Sequence, residues 1–120
     1  MRTNRIIITS LLLLFSIGLY SCRPKKPHFV ISENFEFVED KNGSAVRSMV
    51  IEQYDTANNF IGKKYVYKNS GSEGKSRIYL FSKNEGYHFN GDSLSLNKGF
   101  IYKLYIKTLG FADSLILKPK

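Results

Sequence analysis

The sequence has no tryptophan, a single cysteine and only three prolines, and basic residues outnumber acidic ones by 18 to 10. One cysteine excludes an intramolecular disulfide, so the fold depends on its hydrophobic core. The prolines lie near the ends, at Pro24, Pro27 and Pro119, which leaves the middle of the chain free for paired strands. Hydrophobic residues make up 42% of the 120 residues, which is enough for the core of one domain.

No hydrophobic run is long enough to be typical of a membrane-spanning helix. The one long uncharged run, residues 6–19, follows Arg2 and Arg5 and is shorter than the roughly 20 apolar residues that such a helix needs. A basic start followed by an apolar stretch of this length is typical of a secretory signal peptide. We therefore predict that residues 1–21 are an export signal.

The run ends in the stretch Leu19-Tyr20-Ser21-Cys22. This stretch resembles the lipobox of bacterial lipoproteins, in which a branched apolar residue and a small residue precede an invariant cysteine. Tyr20 departs from the small or β-branched residue that is usual at its position. The resemblance implies cleavage between Ser21 and Cys22 and acylation of Cys22 with chains such as palmitate. An exported protein with one unpaired thiol is otherwise unusual, and several acyl chains hold a protein stably on a bilayer.

Residues 22–28 are predicted to be a lipidated tether, because Arg-Pro-Lys-Lys-Pro-His follows the cysteine. Two prolines keep such a segment extended, and basic residues favour anionic headgroups. A plain solvated linker is the alternative. By analogy with lipoprotein sorting, Arg23 lacks the aspartate that retains lipoproteins in the inner membrane, and the tether lacks the acidic run associated with surface export. We expect an outer-membrane protein that faces the periplasm.

Residues 29–120 show period-two alternation of apolar and polar residues without helical periodicity, which predicts a β-domain. Turn signals at intervals of about eight to twelve residues favour a sandwich or a barrel of about seven strands. The predicted strands cover residues 29–38 with a break near Ser32, 46–54, 60–67, 77–82, 87–96 with a break at Gly91-Asp92, 100–108 and 114–118.

Residues 96–106, LNKGFIYKLYI, place Leu96, Gly99 and Tyr102 at the spacing L-x-x-G-x-x-Y. This pattern resembles the tyrosine corner of fibronectin type III and immunoglobulin-like domains, in which the tyrosine hydroxyl bonds to backbone a few residues upstream. The tryptophan and the disulfide pair of many such domains are missing. The resemblance implies a small Greek-key β-sandwich, immunoglobulin-like or transthyretin-like, and a small barrel such as an OB-fold is the alternative.

The sequence offers little for catalysis or for a cofactor. Gly74-Lys75-Ser76 matches the end of a phosphate-binding loop, but Asn69 stands where the first glycine belongs and a strand follows instead of a helix. The two histidines lie far apart in sequence, and no cluster of ligands indicates a metal site. No nucleophile, base and orienting group are visible together. We predict a non-catalytic protein without metal or cofactor.

Charge is distributed unevenly along the predicted domain. Residues 60–83 carry six basic residues against Glu73, with tyrosines between them. Residues 98–120 carry five basic residues against Asp113. If these two segments share a sheet, one of its faces is strongly positive, and we predict that it meets acidic lipid headgroups, an anionic glycan or an acidic envelope protein. A well-solvated basic surface is the alternative, and nucleic acid is not expected because an exported lipoprotein seldom meets any. The candidate partner-binding residues are Lys63, Lys64, Lys68, Lys75, Arg77, Tyr65 and Tyr67.

These features together predict a small lipid-anchored envelope lipoprotein that acts as a non-catalytic binding or scaffold module for an envelope protein or assembly. The alternative is an inhibitor or immunity-type lipoprotein that blocks an enzyme or toxin, with the loop of residues 69–74 as its inserting segment. An enzyme is the third hypothesis, and a binder of a small ligand or of a glycan is a further alternative.

Overall fold

A computed structural model describes residues 26–120, so the predicted export signal, its cleavage site and Cys22 lie outside the described residues. In residues 26–120 the regular secondary structure is β-strand, and none of these residues forms a helix with the length and apolar character needed to cross a membrane. The strands are β1 (Phe29–Ile31), β2 (Phe37–Asp40), β3 (Val46–Tyr54), β4 (Phe60–Lys68), β5 (Arg77–Tyr79), β6 (Tyr87–Gly91), β7 (Ile101–Thr108) and β8 (Phe111–Leu117).

The strands form two antiparallel sheets. The smaller sheet has the order β1-β2-β5 and the larger sheet the order β6-β4-β3-β7-β8. In an immunoglobulin-like sandwich, strands A, B and E lie in one sheet and strands G, F, C and C′ in the other. The order β8-β7-β3-β4 corresponds to G-F-C-C′, and β6 adds a further strand beyond β4. The predicted all-β sandwich is confirmed, with eight strands where about seven were expected.

The additional strand arises from residues 29–38, which were predicted as one broken strand. The chain reverses at the break, so that Ile31 lies opposite Val38 in an antiparallel pair. The Ser32 hydroxyl accepts hydrogen bonds from the backbone N–H groups of Glu36 at 2.9 Å and Phe37 at 3.1 Å. Serine side chains stabilise turns in this way because they satisfy backbone donors that a reversing chain leaves unpaired.

The domain begins before β1. The backbone carbonyl of Lys26 accepts a hydrogen bond from the Asn42 side chain at 2.8 Å, and Pro27 is buried. The backbone N–H of His28 donates to the Asp40 carboxylate at 2.6 Å. Residues 26–28, predicted as the last part of the tether, therefore contact the turn between β2 and β3.

Asp40 organises the turn between β2 and β3. Its side chain is buried, and its carboxylate also accepts hydrogen bonds from the N–H groups of Asn42 at 3.0 Å and Ser44 at 2.7 Å. Burial alone would raise the pKa of Asp40, but the backbone hydrogen bonds outweigh it and the pKa lies below its ordinary value of 3.8. The carboxylate is therefore held ionised, and it fixes the N-terminal segment to the turn.

The hydrophobic core lies between the two sheets. The clearest alternation is in β7, where Tyr102, Leu104 and Ile106 are buried while Lys103 and Tyr105 face outward. The other fully buried apolar side chains come from both sheets and from the segment after β5: Val38, Val46, Met49, Ile51, Ile78 and Leu80. Burial of such side chains contributes about 1.5–3 kcal/mol each, which is the main force that holds a sandwich without disulfides.

Two buried tyrosines fasten irregular segments to this core. The hydroxyl of Tyr102 donates to the carbonyl of Ser95 at 2.7 Å and accepts from the N–H of Asn97 at 2.9 Å, which is the upstream backbone contact that the tyrosine-corner resemblance implies. The hydroxyl of Tyr87 donates to the carbonyl of Val46 at 2.6 Å. Leu96, the first residue of the tyrosine-corner pattern, is 39% exposed and lies outside the buried core.

Candidate functional site: the tyrosine–lysine face

The outward side of the larger sheet presents aromatic and basic side chains from several strands. In the strand register, Tyr65 and Tyr105 lie on either side of Val50, and Lys63 and Lys103 lie on either side of Glu52. Side chains directly opposite one another on paired strands share a face of the sheet. We call this surface the tyrosine–lysine face and define it by Glu52, Lys63, Tyr65, Tyr67, Lys103, Tyr105 and Lys107.

The aromatic side chains of this face form an ordered row along β4 and onto β6. The rings of Tyr65 and Tyr67 are parallel within 3°, with centroids 6.0 Å apart. The ring of His88 lies 5.4 Å from that of Tyr67. The Lys63 amine lies 5.1 Å from the centroid of the Tyr65 ring, within the range of a cation–π contact. Each ring is therefore held by its neighbours, which lowers the entropy lost on binding.

Positive charge predominates on the face. Glu52 lies in its centre, with its carboxylate 3.7 Å from the Lys63 amine. The Glu52 carboxylate, together with burial, raises the pKa of the Tyr105 hydroxyl. Lys103 and Lys107 add two further cations on β7, and Lys103 lies 4.5 Å from the centroid of the Tyr54 ring. One acid among three lysines leaves a net positive surface.

The seven candidate partner-binding residues do not form one surface. Lys63, Tyr65 and Tyr67 lie on the tyrosine–lysine face, but Lys64 points to the core side of the same strand and is buried. The Lys68 amine donates to the carbonyl of Ser72 at 2.6 Å and so braces the following loop. Strand alternation requires the separation of Lys63 from Lys64, because successive side chains point to opposite faces of a sheet.

Lys75 and Arg77 lie elsewhere. Lys75 follows the loop after β4, and its amine is 3.8 Å from the exposed carboxylate of Glu85. Arg77 belongs to the smaller sheet, where its guanidinium lies 4.1 Å from the centroid of the Phe37 ring and 3.4 Å from the Glu39 carboxylate. The basic residues that are close together in sequence thus lie in three different places: the tyrosine–lysine face, the core side of the larger sheet with the loop after β4, and the smaller sheet.

None of the seven candidate partner-binding residues lies in β7, although Lys103, Tyr105 and Lys107 of that strand contribute to the tyrosine–lysine face. Lys103, Tyr105 and Lys107 alternate with buried residues, so their outward position was readable from the sequence. Their proximity to Tyr65 was not readable, because it depends on β3 lying between β4 and β7 in the sheet.

Residues 26–120 contain no group of three or more histidine, cysteine, aspartate or glutamate side chains arranged to hold a metal ion. Comparison of the chain with protein-family models, with curated proteins and with solved structures finds no match in any of the three. A proposal about function therefore depends on the surfaces of the domain and not on similarity to a known protein.

Proposed function

We propose that this protein is a lipid-anchored, non-catalytic binding module of the bacterial envelope, and that its tyrosine–lysine face docks an acidic protein partner. The observation that carries the proposal is the row of tyrosines with lysines around it on an open sheet face. Tyr67 is 36% exposed and Tyr105 43% exposed, so both rings are accessible. Tyrosine is enriched at protein interfaces because it offers a large contact area and loses little rotamer freedom.

The charge of the face favours an acidic partner. Lys63, Lys103 and Lys107 surround the aromatic row, and complementary charge steers association and suppresses wrong partners. The Tyr65 ring lies between Lys63 on one side and Tyr67 on the other, so its flat faces are not free to stack on a sugar. The exposed edges and hydroxyls suit hydrogen bonds with a protein better than stacking with a glycan.

The anchor is proposed from the lipobox-like stretch that ends at Cys22, together with the absence of an inner-membrane retention aspartate at Arg23. Both support a protein on the outer membrane that faces the periplasm. Cys22→Ala should abolish labelling with a lipid analogue and leave an uncleaved or soluble species. Normal processing and unchanged membrane retention of this variant would contradict the anchor.

The inhibitor alternative has less support from the geometry. Its inserting segment, residues 69–74, folds back onto the domain: the N–H of Asn69 donates to the carbonyl of Gly86 at 2.9 Å, and Lys68 binds the carbonyl of Ser72. A loop with its ends and its middle fastened in this way does not project as an inserting segment.

Site-specific photocrosslinking in cells tests the docking face. A photoreactive phenylalanine analogue at Tyr105 samples the tyrosine–lysine face, and the same analogue at Tyr79 samples the smaller sheet, where Tyr79 is 37% exposed. We expect one membrane-retained protein to be captured from position 105 and not from position 79. Equal capture from both positions, or capture from neither, would contradict the proposal.

Charge reversal gives a second test of the same contact. Lys103→Glu should reduce the yield of the crosslinked partner, because it places a second acid beside Glu52 opposite an acidic surface. Lys98→Glu, an exposed position in the loop before β7, is the matched control and should leave the yield unchanged. Equal loss in both variants would indicate a general effect of charge instead of a specific contact.

A further inference from the structure

A cleft opens on the core side of the larger sheet, along β4 and β6. Phe89 lies opposite Val66 in the strand register, so its side chain belongs to the core side, yet it is 58% exposed. The smaller sheet leaves it uncovered because β5 contains only Arg77–Tyr79 and the chain then turns away. The space between β6 and the segment after β5 has a volume of about 490 Å³, within the usual range for small-molecule sites.

The walls of the cleft combine apolar and polar side chains, and one wall is braced by hydrogen bonds. Val66, Phe81, Phe89 and Leu94 line it. Opposite β6, the wall is braced by Asn84, whose side chain accepts a hydrogen bond from the Tyr79 N–H at 2.7 Å and donates one to the Tyr79 carbonyl at 2.9 Å. The Asn84 side chain thus pairs with the backbone of Tyr79 as a neighbouring strand would, and it fixes the segment after β5. The cleft is therefore already formed without a ligand.

The floor of the cleft holds the amine of Lys64. This residue is only 7% exposed, and the amine lies 5.2 Å from the centroid of the Phe89 ring. Within the described part of the chain its only hydrogen bond is to the carbonyl of Leu80, at a long 3.4 Å, and no carboxylate lies within 4.0 Å. An ammonium group has three donors, so most of its hydrogen-bonding capacity is unused.

The cleft has an excess of positive charge. Lys83 lines it together with Lys64, and none of its lining residues is acidic. Burial lowers the pKa of Lys64, because the charged form is poorly solvated there. A buried cation with no carboxylate beside it is costly unless another anion compensates its charge. An anionic group would compensate the Lys64 ammonium, and an apolar body attached to that group would pack against the apolar side chains of the cleft.

We propose that this cleft binds a small amphipathic carboxylate, with its carboxylate on the Lys64 ammonium and its apolar body between Phe81, Phe89 and Leu94. The site lies on the side of the sheet opposite the tyrosine–lysine face, so it does not depend on the docking of a protein partner. A bound carboxylate offsets the cost of burying the amine and raises its pKa towards the ordinary value. Small inorganic anions lack the body that the apolar walls would cover.

Calorimetric titration of the full-length chain in lipid nanodiscs tests this site, with empty nanodiscs as the blank. The probes are 4-phenylbutyrate, 4-phenylbutylamine and acetate, which separate the contributions of the head group and the body. We expect saturable binding of 4-phenylbutyrate and at least tenfold weaker binding of the other two, because each lacks one of the two contacts. Equal binding of 4-phenylbutyrate and 4-phenylbutylamine, or no binding of 4-phenylbutyrate, would overturn the proposal.

Two variants of adjacent residues locate the site. Lys64→Met keeps the length and bulk of the side chain and should weaken 4-phenylbutyrate binding about tenfold, as expected for the loss of one charge-assisted hydrogen bond. Lys63→Gln removes a positive charge on the opposite face and should leave the affinity unchanged. Phe89→Ala, at a largely exposed side chain, should also weaken binding without unfolding the domain. Equal losses in the Lys63 and Lys64 variants would overturn the assignment.

Mass-spectrometric measurement of lysine acetylation gives an independent readout. Saturating 4-phenylbutyrate should slow the acetylation of Lys64 and leave that of Lys63 unchanged in the same sample. Protection of neither lysine, or of both equally, would contradict binding in the cleft. Loss of the protein partner in the crosslinking experiment, by contrast, leaves this result unaffected, so the two proposals fail separately.

Discussion

Lys63 and Lys64 are consecutive residues of β4, yet their amines lie on opposite sides of the larger sheet. The Lys63 amine is 3.7 Å from the Glu52 carboxylate on the outer face, whereas the Lys64 amine is 3.4 Å from the Leu80 carbonyl on the core side. The period-two geometry of a strand produces this separation. One peptide bond thus joins the proposed docking face to the proposed ligand cleft, and substitutions at these two positions distinguish them.

Lys64→Met should stabilise the ligand-free domain by about 1 kcal/mol at pH 7, because it replaces a poorly solvated amine with an apolar side chain. The folded pKa of Lys64 is below its ordinary value of 10.5. The wild type therefore carries the full cost below the folded pKa and loses it as the pH rises towards 10.5. Urea unfolding at several pH values should show the difference between the two proteins shrinking at alkaline pH. A constant difference would contradict this account.

Tyr102→Phe should destabilise the domain by about 1 kcal/mol, because the buried hydroxyl bonds both the carbonyl of Ser95 and the N–H of Asn97. Tyr105→Phe is the matched control on the same strand, since its hydroxyl lies on the exposed face. Thermal unfolding should show a lower melting temperature for the first variant only. Equal melting temperatures for the two variants would indicate that the bonds at the corner contribute nothing.

Asp40→Asn should cost about 2 kcal/mol at neutral pH, because the amide replaces a carboxylate that accepts three backbone hydrogen bonds. The folded pKa of Asp40 lies below its unfolded value of 3.8. Its stabilising contribution is therefore fully present above pH 3.8 and is lost as the pH falls through the folded pKa. Unfolding curves recorded from pH 7 to pH 2 should converge for the wild type and the variant. Curves that stay parallel would exclude this role for Asp40.

Gly91→Ala should destabilise the domain more than Gly43→Ala does. Both glycines have positive φ, at 98° and 78°, so both substitutions bear the cost of the left-handed region, about 1 kcal/mol. A Cβ at Gly91 would also lie 2.5 Å from the Lys63 carbonyl oxygen, whereas one at Gly43 meets nothing within 4 Å. Chemical unfolding should show the additional loss at Gly91 alone. Equal losses would show that β6 moves away from β4 without cost.

Alternation alone was sufficient for the long strands. The pattern from Val46 to Tyr54 gave the bounds of β3, and the pattern in residues 100–108 gave β7 within one residue. The turn at Ser32 was read as a break in one strand, because a three-residue strand is too short to show alternation of its own. The reversal of the chain depends on hydrogen bonds that the Ser32 hydroxyl accepts from backbone N–H groups, and a hydrophobic pattern does not reveal such bonds.

The two sites were harder to predict than the strands. The outward position of Tyr65 and Lys103 followed from alternation, but their presence on one face depends on strand order. Lys64 was grouped with Lys63 by sequence proximity, which ignores the opposite directions of successive side chains. The cleft exists because the smaller sheet does not extend over β6. The alternation of apolar and polar residues shows that Phe89 points inward, but it does not show whether another strand covers it.

The hydrogen bonds of Lys26 and His28 with the domain limit the length of chain between Cys22 and the domain. With the acyl chains on Cys22, as proposed, a fully extended chain from Cys22 to Lys26 would reach at most about 14 Å. The domain is then confined to a thin layer next to the bilayer, with the turn around Asn42 as its membrane-proximal end. A partner bound to the same membrane would meet the domain at a higher effective concentration than a partner in solution.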